Sequence, residues 1–307
     1  MPLNQSVKIV LTNCISLTPD ESFLIITDEN LFNLANEFFK ESLRITKKSK
    51  IIKTIIPEFN GAEPSQNVSD KLLNCDAALL ITAKSLSHTN ARKNASLNGA
   101  RIASMPGLTF EMAERALNVD YGAIIENNNK LFSLLKNKKY IRIKTKKGTD
   151  IGFNFENRNW IMDIGIYTKK GSFGNLPAGE IFSAPVEGKT NGVFVVDASI
   201  AGIGILKSEV RIYVKNGLVD KVAGNTEAKK LESMFKGKNY KNIAELGIGT
   251  NPKAIITGNV LEDEKALGTC HIAFGNNKHF GGLIDVPFHI DCVIKNPEVY
   301  GDDRRLF

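Results

Sequence analysis

Two of the four histidines in this 307-residue chain stand in alternating apolar runs, with carboxylates close by in the sequence. In Asp285–Cys292 (DVPFHIDC), strand geometry puts Val286, Phe288, Ile290 and Cys292 on one face and His289 and Asp291 on the other. An imidazole and a carboxylate aimed the same way are how one strand would deliver two ligands to a metal; a salt-bridged pair on a solvent face is the alternative. His271 lies in a similar run, Gly268–Gly275 (GTCHIAFG), with Cys270, Ile272 and Phe274 opposite. Cys270 therefore points away from it, which argues against a Cys-His nucleophile pair. Glu245 interrupts the apolar Asn242–Gly249 (NIAELGIG), and a buried carboxylate requires a partner, of which a metal is one. Glu180 follows the turn-rich Asn175–Gly179 (NLPAG) and precedes Ile181–Glu187 (IFSAPVE). Of the other histidines, His279 sits in a polar loop beside Lys278. His88, in Ser85–Asn90 (SLSHTN), reads as a loop cap or a small-molecule contact.

The elements that must position these residues change character along the chain. Phe23–Thr27, Lys50–Ile56, Asp76–Thr82 and Ala100–Met105 read as buried strands. Helical spacing falls between them, at Leu31–Leu43, Val68–Leu73 and Asn90–Asn98, with Phe110–Leu117 helical after the last. That alternation predicts βαβ units and an α/β domain with a parallel, doubly wound sheet, over residues 1–135. No GxGxxG follows the first strand, so dinucleotide binding is not expected. From about residue 136 to 307 short strands dominate, with a clear helix at Glu227–Phe235 and an Asn216-Gly217 hairpin turn, which predicts a strand-rich α+β domain holding the chemistry.

The composition narrows the class further. With 42% hydrophobic and 24% charged residues the chain is an ordinary globular one, and no run approaches the length of a membrane span. Four scattered cysteines without CxxC and no secretory pattern point to a reduced, cytoplasmic protein. The net charge of +7 concentrates in Lys136–Lys147. Tyr140–Lys144 alternates there as a half-exposed strand without aromatic interleaving, so it reads as a solvated sheet edge rather than a nucleic-acid surface.

Four segments together, Asn175–Gly192 (NLPAGEIFSAPVEGKTNG), Ala244–Pro252 (AELGIGTNP), Leu261–Gly275 (LEDEKALGTCHIAFG) and Phe288–Asp291 (FHID), resemble the signature blocks of the M29 metallo-aminopeptidases, the aminopeptidase T group. Lys84–His88 (KSLSH) and Arg101–Thr109 (RIASMPGLT) resemble shorter members of that superfamily. The resemblance implies a binuclear site of two Zn²⁺, Co²⁺ or Mn²⁺ ions on Glu180, Glu245, His271, His289 and Asp291, with Glu245 bridging. It implies a cytoplasmic, homodimeric hydrolase that releases N-terminal residues from short peptides by a metal-activated hydroxide. Glu187 is the candidate general base, or else a strand-end carboxylate satisfied by backbone amides. Two departures stand out: Lys278 occupies the position of a peptidase Tyr, and the interval from His271 to His289 is short. Ring-cleaving dioxygenases acting on dihydroxypyridines, which belong to the same superfamily, imply a different chemistry: one Fe²⁺ on His271, His289 and Asp291. A non-catalytic relative with a degenerate metal site is the third reading.

Overall fold

Apolar runs without alternation need cover on both faces, and the computed structural model, which describes residues 2–307, supplies it. Every residue of Phe23–Thr27 and of Ala77–Ile81 is buried. These strands lie in a five-stranded sheet ordered Ser49–Lys53, Phe23–Thr27, Ala77–Ile81, Arg101–Ser104, Phe173–Asn175, with every neighbouring pair parallel. Helices Phe32–Ile45, Gln66–Leu73 and Asn90–Leu97 connect the first four. Val68, Leu72, Ala91 and Ala95 pack into one core with Leu24, Ile26, Ala78, Leu80 and Ile102. The parallel α/β sheet that the alternating pattern predicts is therefore present.

Two compact units make up the chain: Met1–Tyr121 with Asp163–Ala178, and Gly122–Met162 with Gly179–Phe307. The backbone passes between them three times, where the sequence pattern suggests one passage near residue 135. The reason is local: Asp163–Ala178 contains the fifth strand of the parallel sheet, three residues long and too short to announce itself. Helix Tyr121–Leu135 is likewise absent from the sequence reading. Its Asn127–Asn129 run disfavours a helix, but Asn128 is fully buried and donates through Nδ2 to Thr250 Oγ1 at 2.8 Å and to the Ile124 carbonyl at 3.0 Å. Tertiary contacts hold that turn.

The second unit is built on two seven-stranded sheets that share one core. One runs Leu218–Ala223, Val210–Lys215, Asn191–Val196, Asp150–Asn154, Tyr140–Lys144, Glu298–Gly301, Arg304–Arg305, antiparallel throughout. Tyr140–Lys144 is thus an inner strand, a correction to the edge expected from its lysines: the chain's last strands return to cover it. Its polar face is paired instead, with Arg142 Nε 2.5 Å from Asp150 Oδ1. Asn216 and Gly217 both have positive φ, 49° and 72°, as a type I′ turn demands. The middle strands of the other sheet are Ser199–Ile200, His289–Lys295, Thr269–Gly275, Ile243–Gly249 and Glu180–Ser183, in that order and antiparallel. Ile181, Leu246, Ile248, Cys270, Ile272, Phe274, Cys292 and Ile294 face the shared core. The residues alternating with them carry the site on the opposite face.

Candidate metal centre

Four adjacent strands deliver five side chains to one patch. His271 and His289–Asp291 arrive by simple alternation, since Cys270, Ile272, Ile290 and Cys292 pack into the core or against it. The strand at His289–Lys295 begins at the histidine itself; Asp285–Phe288, expected to belong to it, lies outside. Glu245 needs a device. The pairing of Ile243–Gly249 with Thr269–Gly275 shifts register between Ile243 and Glu245, a bulge that leaves Ile243 and Leu246 in the core and turns Glu245 to the other face. Small residues stand across from the large polar ones. His271 faces Gly247, His289 faces Gly275, Glu180 faces Gly249 and Asp291 faces Ala273. A Cβ on Gly247 would lie 2.1 Å from the His271 ring.

The distances describe a cluster of donors. His271 Nε2 is 3.2 Å from Glu245 Oε1 and 3.4 Å from Glu180 Oε2; His289 Nε2 is 3.5 Å from Glu245 Oε2 and 3.4 Å from Asp291 Oδ1. Ligands about 2.1 Å from a common ion are separated by roughly 3.0–3.4 Å, so these spacings fit a shared cation. His289 Nδ1 lies 2.9 Å from the Asn276 carbonyl, which can only accept; a proton is therefore on Nδ1, and Nε2, which faces the carboxylates, is the nitrogen left for a metal. Glu180 Oε2 and His271 Nδ1 are buried without a hydrogen-bond partner among the described residues. A cation beside Glu180 would satisfy the first of them. Mixed oxygen and imidazole donors suit iron, manganese, cobalt or zinc.

The electrostatics agree. Burial opposes protonation of His271, but its hydrogen bond to Glu245 and the charges of Glu180, Glu245 and Glu264 outweigh it and lift the imidazole to about 9. Burial likewise opposes protonation of His289, and Asp291 with Glu245 lifts it to about 10. Burial acts against ionisation of Asp291 too, yet the two histidines and Lys265 bring it down to about 2. A field that holds protons on two imidazoles is one that a divalent cation would relieve.

Two partners escaped sequence reasoning, although both lie in Leu261–Gly275. Glu264 is buried, which pushes its carboxyl up to about 8 in spite of Lys265, and it groups with His271 and Asp291. Lys265 is 1% exposed at its side chain, with Nζ 2.6 Å from Glu180 Oε1 and 2.5 Å from Glu264 Oε1. The signal available was a Glu-Lys pair just before an apolar strand. Glu187 is not brought into the cluster. It pairs with Arg158 and accepts from Leu283 N and Asn277 Nδ2, both at 2.8 Å, and so ties down the loop before His289. No contact supports the general-base role; the alternative, a carboxylate satisfied by amides, describes it. Lys278 is exposed and pairs with Asp285 at 2.7 Å. His279 and His88 are exposed, and Thr89, next to His88, caps the helix at Asn90.

Fold and donor set together define the class: a protein that presents a histidine–carboxylate centre of metal-binding type on an antiparallel β-sheet of one unit and carries a parallel α/β sheet in the other. The sequence profile of the 2,5-dihydroxypyridine 5,6-dioxygenase family (NicX) matches residues 46–307, and the chain belongs to that family. The 2,5-dihydroxypyridine 5,6-dioxygenase of Pseudomonas putida KT2440 is 24% identical over 190 residues, which cover 57% of this chain and 54% of that one; the chain thus spans about half the length of the curated relative it matches. The solved structure of the 2,5-dihydroxypyridine dioxygenase from Pseudomonas putida KT2440 superposes with a TM-score of 0.83 at 19% identity, covering 99% of this chain and 94% of that one. Wild-type AmpT from Thermus thermophilus superposes with a TM-score of 0.73 at 15% identity, covering 98% and 94%. The likeness to AmpT is one of fold. The aminopeptidase reading is not sustained: the family is one of dioxygenases, oxidoreductases rather than hydrolases or proteases. The error has a physical cause: the matching blocks lie on the strands that carry the imidazoles and carboxylates, and AmpT shares the fold of those strands.

Proposed function

We propose that this protein is a dioxygenase that opens the ring of a dihydroxypyridine-type aromatic substrate, using one Fe²⁺ held by His271, His289 and Asp291. The observation that carries the reading is the family match over residues 46–307; beside it, His271 and His289 each share a donor group with Asp291, the first with Glu264 and the second with Glu245. Two imidazoles and one carboxylate are the ligand set of many non-haem Fe²⁺ oxygenases, whose iron supplies the activation of dioxygen. Glu245, whose oxygens lie 3.2 and 3.5 Å from the Nε2 atoms of His271 and His289, is a second carboxylate at the same position. The Asn276 carbonyl fixes the His289 tautomer and ring plane, so that Nε2 remains available as a ligand. Phe182 lies on the face that carries Glu180, and its ring meets that of Phe280 edge-on with centroids 5.7 Å apart; Phe280 meets the His289 ring in the same way at 5.9 Å. Partly exposed aromatic edges beside the centre suit a flat, electron-rich ring.

The test is to load purified protein anaerobically with Fe²⁺, add 2,5-dihydroxypyridine and then oxygen, and follow oxygen uptake with loss of substrate absorbance. The expected result is one O₂ consumed per ring opened, with none after chelation. Iron bound at His271, His289 and Asp291 without oxygen uptake on any dihydroxylated pyridine would overturn the reading.

A further inference from the structure

The most unusual group in the centre is the buried lysine. Lys265 is held from the main chain as well as the side chain: its carbonyl accepts from Asn251 N at 2.8 Å and its amide donates to the Glu262 carbonyl at 3.0 Å. Gly249 makes room for this segment, since a Cβ there would lie 2.2 Å from the Ala266 carbonyl oxygen. The ammonium thus enters the centre on a fixed backbone and donates to Glu180 Oε1 and Glu264 Oε1. Glu180, Glu245 and His271 could hold one ion and Glu245, His289 and Asp291 another, so a second ion would draw on Glu180. Here one of the two Glu180 oxygens is committed to the ammonium, and the other lies 3.4 Å from His271 Nε2.

We infer that the Lys265 ammonium takes the place of a second metal ion, so that the centre holds one divalent cation where its donors could hold two. The inference rests on the reading of this site as a metal centre, and it names the residue that sets the metal count. Coulomb's law gives the reason. A second divalent ion beside Glu180 and Glu264 would face the fixed positive charge of Nζ, which already holds one oxygen of each carboxylate. One ammonium and one divalent ion serve the four carboxylates Glu180, Glu245, Glu264 and Asp291, and a site with one ion keeps its remaining positions for substrate. Removing the ammonium would leave the Glu180 and Glu264 oxygens buried and unpaired, an arrangement that a second cation relieves.

The experiment is metal counting, independent of turnover. Wild type, Lys265→Met and the more conservative Lys265→Gln are saturated anaerobically with Fe²⁺ or Mn²⁺, desalted and analysed for metal per chain, and their folding is checked by circular dichroism. The Mn²⁺ forms are also examined by electron paramagnetic resonance, in which two neighbouring ions couple and a single ion does not. The expected result is one ion per chain with an uncoupled spectrum in wild type, and about two with a coupled spectrum in a folded Lys265 variant. Two ions in wild type would overturn the inference while leaving a metal centre in place. So would folded variants that still hold one ion or lose it. Wild type that binds no metal at all would overturn the proposed function as well, which separates the two failures.

Discussion

His289 and Asp291 stand two positions apart on one strand face and converge on the same cation position, so losing either side chain removes one of its donors. His289→Ala and Asp291→Ala are expected to lower ring-opening turnover at least about 100-fold and to reduce bound iron, because even the outer partners of metal ligands typically account for 10–100-fold; elemental analysis and oxygen uptake check both. Glu187 separates structural from catalytic carboxylates. Burial works against its charge, but the Leu283 amide, Asn277 and Arg158 hold its carboxyl below the ordinary 4.5. Its stabilising contribution is therefore present above about pH 4.5 and lost as pH falls through the lower folded value. Glu187→Gln is expected to lower the melting temperature by a few °C at neutral pH, with the gap to wild type closing in acid. A gap that persists unchanged at pH 3 would refute the clamp.

At the scale of the element, four strands aim the donors, and small residues keep the space between them open. Gly247 lies across from His271, and a methyl group there would fall 2.1 Å from the ring. Gly247→Ala is expected to push His271 aside and weaken iron binding about 10–100-fold while leaving the fold intact, measurable as a shift in the Fe²⁺ titration midpoint beside an unchanged circular dichroism spectrum. The bulge at Ile243–Glu245 belongs to the same scale. Without it strict alternation would send Glu245 into the core, where a carboxylate has no partner.

Across the whole molecule, metal binding and stability are linked. Four carboxylates, two imidazoles and one ammonium crowd a single patch, and a bound divalent cation takes the place of the protons that the two imidazoles hold there. At an iron concentration about 100 times the dissociation constant, binding adds about 2.7 kcal/mol. That corresponds to a rise of roughly 5 °C in melting temperature for a chain of this size, reversible by chelation and detectable by calorimetry. No helix among the described residues is long and apolar enough to cross a membrane.

Periodicity alone determined most of the frame. Continuous apolar runs separated by helical spacing are explicable only as a parallel sheet with covered faces, and strict alternation around His271, His289 and Asp291 puts those three side chains on the non-core face. Both patterns are local, set by a backbone repeat of 2 or 3.6 residues. What depended on distant partners was decided by the tertiary structure. The Asn-rich helix Tyr121–Leu135 is held by a bond from Asn128 to Thr250, 122 residues away. The inner position of Tyr140–Lys144 depends on pairing with Glu298–Gly301 at the end of the chain. The place of Glu187 on a loop rather than at the centre was settled by Arg158, Asn277 and Leu283. Lys265 is the clearest case, since the sequence shows one lysine among forty basic residues. Only the packing of its segment against Gly249 carries the ammonium between Glu180 and Glu264, where burial and charge turn an ordinary residue into part of the centre.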